Sequence, residues 1–132
     1  MIDDIFCKII NGSIPAYKVY EDEDVIAILD ISQTTKGHTL IIPKKHFKNI
    51  LDVDLETLNK VMKVTQLLAL KYQDKLHCQG FNILNNCHEV AGQTVNHLHF
   101  HLIPRYDEKD TINIEFTNNK LDLATIHKII TE

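Results

Sequence analysis

The sequence predicts an α+β fold with a mostly antiparallel five-stranded sheet, one long helix and short terminal helices. Several short runs rich in β-branched and aromatic residues, bounded by turn residues, indicate the strands. One long stretch with apolar residues at helical spacing indicates a crossing helix, and two shorter helical stretches lie near the ends. With 132 residues, 44% hydrophobic and 24% charged, the chain is predicted to form a single domain over residues 1–132.

The first half of the chain supplies a short helix and three strands. Asp3 or Asp4 can cap a helix that runs to about Ile10, because a carboxylate accepts free backbone N–H groups there. Residues 11–15, NGSIP, have turn composition. The predicted strands of this half are YKVYED (17–22), VIAILD (25–30) and HTLIIP (38–43).

The second half supplies the long helix and the remaining strands. The helix is predicted from about Asp54, which can cap its start, to Lys75. A loop over residues 87–92 separates the two strands that follow the helix. The remaining predicted segments are the strands GFNILNN (80–86) and NHLHFHLIP (96–104), an extra edge strand TINIEF (111–116) and a closing helix LDLATIHKII (121–130).

Charge and cysteine content exclude several classes of function. The formal net charge of -4 predicts no general affinity for nucleic acid or for an anionic membrane. Three cysteines, Cys7, Cys78 and Cys87, make no disulfide framework and are typical of a reducing compartment. No stretch resembles a signal peptide or reaches the length of a membrane helix, so we expect a cytoplasmic protein.

Three histidines alternate with apolar residues in the last predicted strand. Alternate side chains of a strand share one face, so His97, His99 and His101 are predicted to lie side by side, with Cα atoms about 7 Å apart. Leu98, Phe100 and Leu102 would then pack on the core. Three interpretations are open: a merely polar strand face, a zinc site with a further ligand from elsewhere, and covalent catalysis by a neutral imidazole.

The residues around the histidines favour the catalytic interpretation. Gly92, Gln93 and Thr94 precede the strand and offer backbone N–H groups, an amide and a hydroxyl to an anionic phosphate. Asn86, at the end of the preceding strand, can add another donor. The chain has no glycine-rich phosphate loop of the Walker or dinucleotide type, so phosphate binding would depend on these groups and the histidines.

Long stretches of the chain resemble a known family. HLHFHLI (97–103) is similar to the signature of the histidine triad (HIT) superfamily. The segment from Asp4 to Phe47, with LDIS and GHTLIIPKKH, and the segment GQTVNHLHFHLIPRY (92–106) resemble its Hint-like branch. The resemblance covers about residues 4–106 and leaves a C-terminal extension over 107–132. It implies a homodimer with one continuous sheet, and hydrolysis or transfer at the α-phosphate of purine nucleotides.

The resemblance also implies roles for individual residues. His99 would be the nucleophile, with its ring held by the His97 carbonyl, and His101 would bind phosphate. His38 would complete the histidine cluster, and Thr94 would lie near the leaving group. Asn86 and Gln93 would contact phosphate, Asp30 would bind the ribose hydroxyls, and the purine would lie against Phe6, Ile9, Ile14, Ile28, Leu29, Ile31 and Leu40.

Some bacterial relatives use an N-terminal Cys-x-x-Cys to bind structural zinc, and this chain departs from that pattern. Asp4 replaces the first cysteine, whereas Cys7, His46 and His97 stand at matching positions. Zinc accepts carboxylate oxygen, so Asp4 could be the fourth ligand, although losing a thiolate should weaken the site. Alternatively, Asp4 only caps the first helix and Cys7 is a small core residue. Such a zinc would be structural, because the chemistry resembles one that requires no metal.

The leading hypothesis is a purine nucleoside phosphoramidase that binds an AMP-type nucleotide and hydrolyses its bond to an amine. The alternatives are a diadenosine polyphosphate hydrolase with the same triad, a nucleotide-binding interaction module with little turnover, and a zinc hydrolase that uses the triad as metal ligands. The first two differ mainly in the preferred leaving group. The sequence does not decide between adenine and guanine, because an apolar purine slot discriminates weakly between them.

Overall fold

The computed structural model describes residues 4–107 and 109–132. These residues form three α-helices and five β-strands. The predicted helices and strands are found close to their expected positions, with two exceptions described below: the start of the last strand and the segment 111–116. In chain order the elements are α1 (Ile5–Ile10), β1 (Lys18–Glu21), β2 (Val25–Leu29), β3 (Thr39–Pro43), α2 (Leu55–Leu76), β4 (Gly80–Leu84), β5 (Phe100–Arg105) and α3 (Leu123–Thr131).

The five strands form one sheet in the order β1-β2-β3-β5-β4. Every neighbouring pair is antiparallel, which confirms the predicted α+β class. The order leaves β1 and β4 at the two edges. The long helix α2 connects β3 to β4, and β5 returns between these two strands.

The two faces of the sheet carry two separate cores. Paired residues of antiparallel strands share a face, so Ile41 lies on the same side as Ala27 and Phe100, and this side packs against α2. The opposite side carries Leu40, which pairs with His101. It packs against α1 in a cluster of Phe6, Ile9, Ile26, Ile28, Leu40 and Ile42. The histidine face of β5 is therefore the face that α1 covers.

Aspartates cap all three helices, because a carboxylate accepts the backbone N–H groups that a helix start leaves without partners. Asp4 accepts from the Cys7 N–H, Asp54 from the Thr57 N–H, and Asp122 from two N–H groups of α3. The predicted caps at Asp4 and Asp54 are thus confirmed, whereas Asp3 lies outside the described residues. Within the described ranges, no helix is long and apolar enough to cross a membrane.

Gly37 fixes the loop that leads into β3. Its φ of +95° belongs to the left-handed region, and a Cβ there would lie 2.5 Å from Leu76 Cδ1. The neighbouring Thr35 hydroxyl donates to the Pro104 carbonyl at 2.6 Å. This loop, which carries His38 at its end, is therefore held tightly against α2 and β5.

The predicted edge strand over residues 111–116 is wrong. The segment has no regular structure, although its apolar residues alternate as in a strand. Phe116 is 91% exposed and Ile114 is 48% exposed, so no neighbouring layer covers them. Strand preference expresses packing against neighbours, and this segment pairs with neither edge of the sheet.

Candidate functional site

A continuous row of aromatic rings crosses the α1 side of the sheet. The ring centroids of His46 and His97 are 4.7 Å apart, those of Phe6 and His99 are 4.9 Å apart, and those of His99 and His101 are 5.2 Å apart. His38 extends the row at 5.2 Å from His101. Phe6 also meets His97 edge-on at 5.8 Å. The predicted gathering of the triad on one face is present.

The backbone that carries the triad differs from the prediction in one respect. The strand β5 begins only at Phe100, so His97 and His99 lie in the segment that enters it. The Leu98 N–H donates to the Phe47 carbonyl at 2.7 Å, and the Asn85 side chain donates to the His99 carbonyl at 3.0 Å. Asn85 is therefore a positioning residue that sequence reasoning missed. No local sequence pattern marks it, because the contact depends on how the segment before β5 packs against the residue that follows β4.

His99 has the geometry of a nucleophilic imidazole. Its Nδ1 lies 2.7 Å from the His97 carbonyl oxygen, the contact that the family resemblance implied. A carbonyl only accepts, so Nδ1 carries the proton and Nε2 of the neutral ring keeps its lone pair. Burial lowers the pKa of His99, against the opposing effect of its hydrogen bond to His97. The ring is thus kept neutral and in one tautomer.

His38 sets the tautomer of His101. The Thr34 N–H donates to Nδ1 of His38 at 3.3 Å, so the proton of the neutral His38 ring is on Nε2. Nε2 of His38 lies 2.9 Å from Nδ1 of His101, which must therefore accept. His101 is left with its proton on Nε2, as a donor towards an anion. Burial, together with His99 and His38, lowers its pKa to about 4.

Asp30 lies at the edge of this group, and we call Asp30, His38, His99 and His101 the Asp30 cluster. Its Oδ1 accepts from the Ser32 N–H at 2.8 Å, and its Oδ2 lies 3.6 Å from Nε2 of His38. The Gln33 amide donates to the carbonyls of both Asp30 and His38, which ties the loop together. Gln33 is a second positioning residue that the sequence did not reveal.

The residues predicted to contact phosphate lie in different environments. The Asn86 amide donates to the Gly92 carbonyl at 3.3 Å, which leaves a second N–H for a ligand. The Gln93 amide instead holds the loop, because it donates to the carbonyls of Lys48 and Val95 and accepts from the His88 N–H. Thr94 is exposed beside a cavity of about 220 Å³ lined by His88, Glu89, Gln93, Thr94 and Asn96.

The residues predicted to contact the purine surround the α1 core. Phe6, Ile9, Ile28 and Leu40 are between 4% and 7% exposed, and Ile14 packs against them. Leu29 is half-buried, whereas Ile31 is 98% exposed. The structure thus brings an apolar wall next to Asp30 and His99, with Ile31 exposed at its rim.

The residues predicted to bind zinc form a second group, which we call the Asp4 cluster: Asp4, Cys7, His46 and His97. Oδ2 of Asp4 lies 3.1 Å from Nδ1 of His97 and 3.2 Å from Nε2 of His46. Sγ of Cys7 lies 3.6 Å from Nδ1 of His97. Burial alone would raise the pKa of Asp4, but the Cys7 N–H and the charge of His97 hold that pKa below its usual value.

The donor atoms of Asp4, Cys7 and His97 have the spacing of ligands around a tetrahedral zinc, and His46 lies outside this group of three. Bond lengths of about 2.0 Å to oxygen or nitrogen and about 2.3 Å to sulfur place neighbouring ligands roughly 3.2–3.6 Å apart, as observed here. Ligand atoms of Asp4, Cys7 and His97 lie within 4.8 Å of one another. Nε2 of His97 donates to the Pro43 carbonyl at 2.9 Å, which directs the lone pair of Nδ1 towards the other donors.

Comparison with known sequences gives a family match. The HIT domain profile matches residues 11–108. The chain is 51% identical over 106 residues to "Protein hit" of Bacillus subtilis, covering 80% of this chain and 73% of that protein. It is 38% identical over 125 residues to "Adenosine 5'-monophosphoramidase HNT1" of Saccharomyces cerevisiae, covering 95% of this chain and 77% of that protein.

Solved structures with the same fold include one with zinc. A HIT family protein of Bacillus anthracis superposes with a TM-score of 0.90 at 46% identity, over 96% of this chain and 92% of its own. One from Bacillus subtilis gives 0.91 at 42% identity, over 98% and 94%. A Zn-bound histidine triad family protein of Mycobacterium smegmatis gives 0.78 at 40% identity, over 82% and 78%.

Proposed function

The chain belongs to the HIT domain family, and we propose that it is a purine nucleoside phosphoramidase. It would hydrolyse the bond between the α-phosphate of a nucleotide and an amine, through a nucleotidyl intermediate on His99. One observation carries the proposal: the 2.7 Å hydrogen bond from Nδ1 of His99 to the His97 carbonyl, which leaves Nε2 as a free nucleophile. The activity named for the yeast relative supports the choice of leaving group.

In the first step, Nε2 of His99 attacks the α-phosphorus, and the phosphorus–nitrogen bond to the amine breaks once the leaving nitrogen has gained a proton from solvent. The His97 carbonyl stabilises the imidazolium charge that develops, because it accepts the hydrogen bond from Nδ1–H. In the second step, water attacks phosphorus and breaks its bond to Nε2. Release of the nucleotide and of one proton to solvent restores neutral His99.

The groups around His99 have the polarity that this chemistry requires. Nε2–H of His101 and the remaining Asn86 N–H would donate to the phosphate oxygens as negative charge grows on them. Thr94 would contact the leaving group from the cavity next to it. Because the Gln93 amide is engaged within the loop, we propose that Gln93 acts by holding the loop, and that direct contact to phosphate needs those bonds to open.

The nucleoside would occupy the apolar wall beside this group. Asp30 would accept hydrogen bonds from the ribose hydroxyls with Oδ2, since Oδ1 already accepts from Ser32. The purine would lie against the side chains that border the α1 core, with Phe6 as the link between the wall and His99. The half-buried Leu29 and the exposed Ile31 would close the outer side of the purine.

We propose that residues 1–132 form one HIT domain with a C-terminal extension from residue 107, and that two copies join at the edge strand β4. An edge strand has unpaired backbone N–H and C=O groups that another strand can pair with. Ile83 is 56% exposed and Leu84 is 43% exposed on this strand. Pairing of two β4 strands would bury both and continue the sheet across the dimer.

We also propose that the Asp4 cluster binds a structural zinc. The spacing of its donor atoms and the zinc-bound relative support this proposal. Asp4, Cys7, His46 and His97 would hold the ion, which would cross-link α1 to the segment before β5. Nε2 of His46 donates to the Asn96 carbonyl at 2.9 Å, so the neutral ring would carry its proton on Nδ1 instead when Nε2 binds metal. One carboxylate in place of a thiolate should weaken the site.

The proposed activity can be tested with two substrates. Purified protein is given an adenosine phosphoramidate of a lysine-type or indole amine, and in parallel a diadenosine polyphosphate, each with and without a chelator. We expect rapid release of AMP from the phosphoramidate, unaffected by brief chelation and absent in His99→Ala. Preference for the dinucleotide would assign the alternative hydrolase. Tight AMP binding without turnover would leave a nucleotide-binding module, and loss of activity with the chelator would indicate a zinc hydrolase.

A further inference from the structure

The loop over residues 33–38, which we call the His38 loop, is held by a hydrogen bond at each carbonyl from Thr34 to His38. Backbone carbonyls are strong acceptors, so a donor at each one fixes the path of the chain. The donors come from the loop itself, from the start of β3 and from the chain after β5. They are the Thr111 hydroxyl to Thr34, the His38 N–H to Thr35, the Tyr106 hydroxyl to Lys36, the Thr39 hydroxyl to Gly37 and the Gln33 amide to His38. The position of the His38 ring therefore depends on several parts of the chain.

The donors after β5 lie in the segment that directly follows the strand of the third triad histidine. The Tyr106 hydroxyl donates to the Lys36 carbonyl at 2.6 Å, and the Thr111 hydroxyl donates to the Thr34 carbonyl at 2.9 Å. The Asp110 carboxylate closes the turn between these two donors, because its Oδ2 accepts from the Tyr106 N–H at 2.7 Å. The strand that carries the third triad histidine is thus continued by the residues that hold the His38 loop.

Thr34 connects this outer hydrogen bond to the histidine cluster. Its carbonyl accepts from Thr111, and its N–H donates to Nδ1 of His38 at 3.3 Å. With Nδ1 occupied as an acceptor, the His38 ring keeps its proton on Nε2 and donates to Nδ1 of His101 at 2.9 Å. At 3.3 Å the contact from Thr34 is at the long end of the hydrogen-bond range, so a small shift of Thr34 would break it.

The two neutral rings can hold their protons in either of two arrangements. If the Thr34 N–H withdraws, His38 can carry its proton on Nδ1, and its Nε2 then accepts from Nδ1 of His101. Nε2 of His101 would then turn a lone pair, instead of an N–H, towards the phosphate oxygens. The hydrogen bond between the rings exists in both arrangements and does not choose between them. Asp30 favours the observed one, but its Oδ2 lies 3.6 Å from Nε2 of His38, which is too far for a good hydrogen bond.

We propose that Thr111 and Tyr106 are positioning residues for the phosphate-facing proton of His101. Their hydroxyls hold the His38 loop where the Thr34 N–H reaches Nδ1 of His38, and the proton on Nε2 of His38 then fixes the proton of His101 on its own Nε2. Neither residue contacts the substrate. The inference rests on the proposed phosphoramidase function, in which Nε2–H of His101 donates to the phosphate.

The test uses the full-length chain and variants that remove single hydroxyl groups. Thr111→Val removes the donor to Thr34 with little change in volume, and Thr111→Ser keeps that donor. Thr117→Val is the matched control, because Thr117 is an exposed threonine of the same extension whose hydroxyl has no hydrogen-bond partner in the described part of the chain. Tyr106→Phe removes the second donor to the loop.

Two properties are measured on each variant. Steady-state kinetics with an adenosine phosphoramidate give kcat and KM. Nitrogen-15 NMR of histidine-labelled protein near neutral pH shows which nitrogen of His101 carries the proton, and the loss of signals in His101→Gln assigns them. A change in the proton position is a readout that a merely structural role of Thr111 would not move.

We expect the proton of His101 on Nε2 in the wild type and a second population with the proton on Nδ1 in Thr111→Val. The kcat of Thr111→Val should fall about three- to tenfold. Its KM should change less than about twofold, because the donor of His101 acts mainly as charge grows in the transition state. Thr111→Ser and Thr117→Val should match the wild type, and Tyr106→Phe should show a smaller change in the same direction as Thr111→Val.

Three results would overturn the proposal. A wild-type His101 with its proton on Nδ1 would contradict the arrangement from which the proposal starts. An unchanged proton position in Thr111→Val, whatever its kcat, would leave Thr111 without a part in setting the tautomer. Failure of Thr111→Ser to restore kcat and the proton position would show that the hydroxyl is not the cause. A wild type without phosphoramidate turnover would refute the proposed function instead, and the NMR comparison of wild type and Thr111→Val would still decide whether Thr111 sets the proton position.

Discussion

The Asp4 cluster and the Asp30 cluster use the same side chains, histidines next to one carboxylate, in opposite ways. In the Asp4 cluster the carboxylate lies 3.1 Å and 3.2 Å from two imidazole nitrogens. In the Asp30 cluster the carboxylate approaches His38 only to 3.6 Å, which is too far for a good hydrogen bond. The first cluster holds its carboxylate against two rings, and the second keeps the pKa of His99 and His101 below the usual histidine value.

The difference follows from what occupies the second nitrogen of each ring. Nε2 of His97 donates to a carbonyl, so its Nδ1 faces Asp4 either as an N–H or as a metal ligand. Nδ1 of His99 donates to a carbonyl, so its Nε2 faces the open side without a proton. Two residues apart in sequence, the two histidines are therefore suited to anchoring and to nucleophilic attack, respectively.

The largest expected effect is on catalytic activity, which should depend on His99 as the nucleophile. His99→Ala should lower phosphoramidate turnover by about 10⁴-fold or more, since it removes the nucleophile. AMP binding should persist, because Asp30, His101 and the apolar wall remain. Turnover is measured by steady-state kinetics and binding by calorimetry. Full activity in His99→Ala would rule out the covalent mechanism, and His127→Ala, at an exposed histidine of α3, serves as the control.

The next largest effect is on the stability of the fold, which should depend more on His97 than on His99. His97→Ala removes a ring that is 0% exposed and that bonds to Pro43 and Asp4, so two polar groups lose their partner. We expect a loss of about 2–4 kcal/mol in the free energy of unfolding, measured by urea denaturation. His99→Ala should lose less, because a single acceptor, the backbone carbonyl of residue 97, loses its partner there. Equal losses of unfolding free energy in His97→Ala and His99→Ala would contradict the assignment of His97 to anchoring and His99 to nucleophilic attack.

Much of the fold could be predicted because local signals and tertiary structure agree. Asp54 marks the start of α2, and the predicted end at Lys75 differs from the observed Leu76 by one residue. The two errors came from alternation, which shows which residues share a face but not whether a strand pairs. Residues 97–99 alternate yet precede the strand β5, and residues 111–116 alternate yet pair with neither edge of the sheet.

The site could be predicted only where residue type alone limits the chemistry. Three imidazoles on one face required a common site, and the structure brings them together. The partners of Gln93 and Asn85 could not be predicted in this way, because a side-chain amide can hydrogen-bond to almost any polar group that lies near it. Gln93 meets the Lys48 carbonyl, 45 residues away in sequence, and Asn85 meets the His99 carbonyl. Such long-range pairs depend on the packing of loops and leave no local pattern.

A smaller effect concerns pH and the neutral rings of the Asp30 cluster. Burial lowers the pKa of both His99 and His101, the latter to about 4. Turnover should therefore stay level as pH falls through about 6.5, the ordinary histidine value, and decline only below it. A decline centred above about pH 6.5 in the profile of kcat/KM would contradict a neutral, buried His99.

The same shift predicts how stability depends on pH. As pH falls below about 6.5, the unfolded chain binds a proton at residue 101 that the folded chain does not bind until about pH 4. Stability from this group is therefore present above about pH 6.5 and lost between about 6.5 and 4. His101→Gln should flatten that part of a urea-denaturation pH series, and an unchanged slope would show that His101 does not carry it.

The smallest effect tests how the Asp4 cluster uses its carboxylate. Asp4→Asn keeps a helix cap, because asparagine caps as well as aspartate, but removes the charge facing His97 and His46. We expect a loss of about 1–2 kcal/mol in unfolding free energy and less bound zinc. Asp4→Cys restores a thiolate and should raise the zinc content towards one ion per chain. Both variants are measured by urea denaturation and elemental analysis. If the zinc content is the same in wild type, Asp4→Asn and Asp4→Cys, Asp4 is not a ligand and its carboxylate serves only as the cap of α1 and the partner of the two histidines.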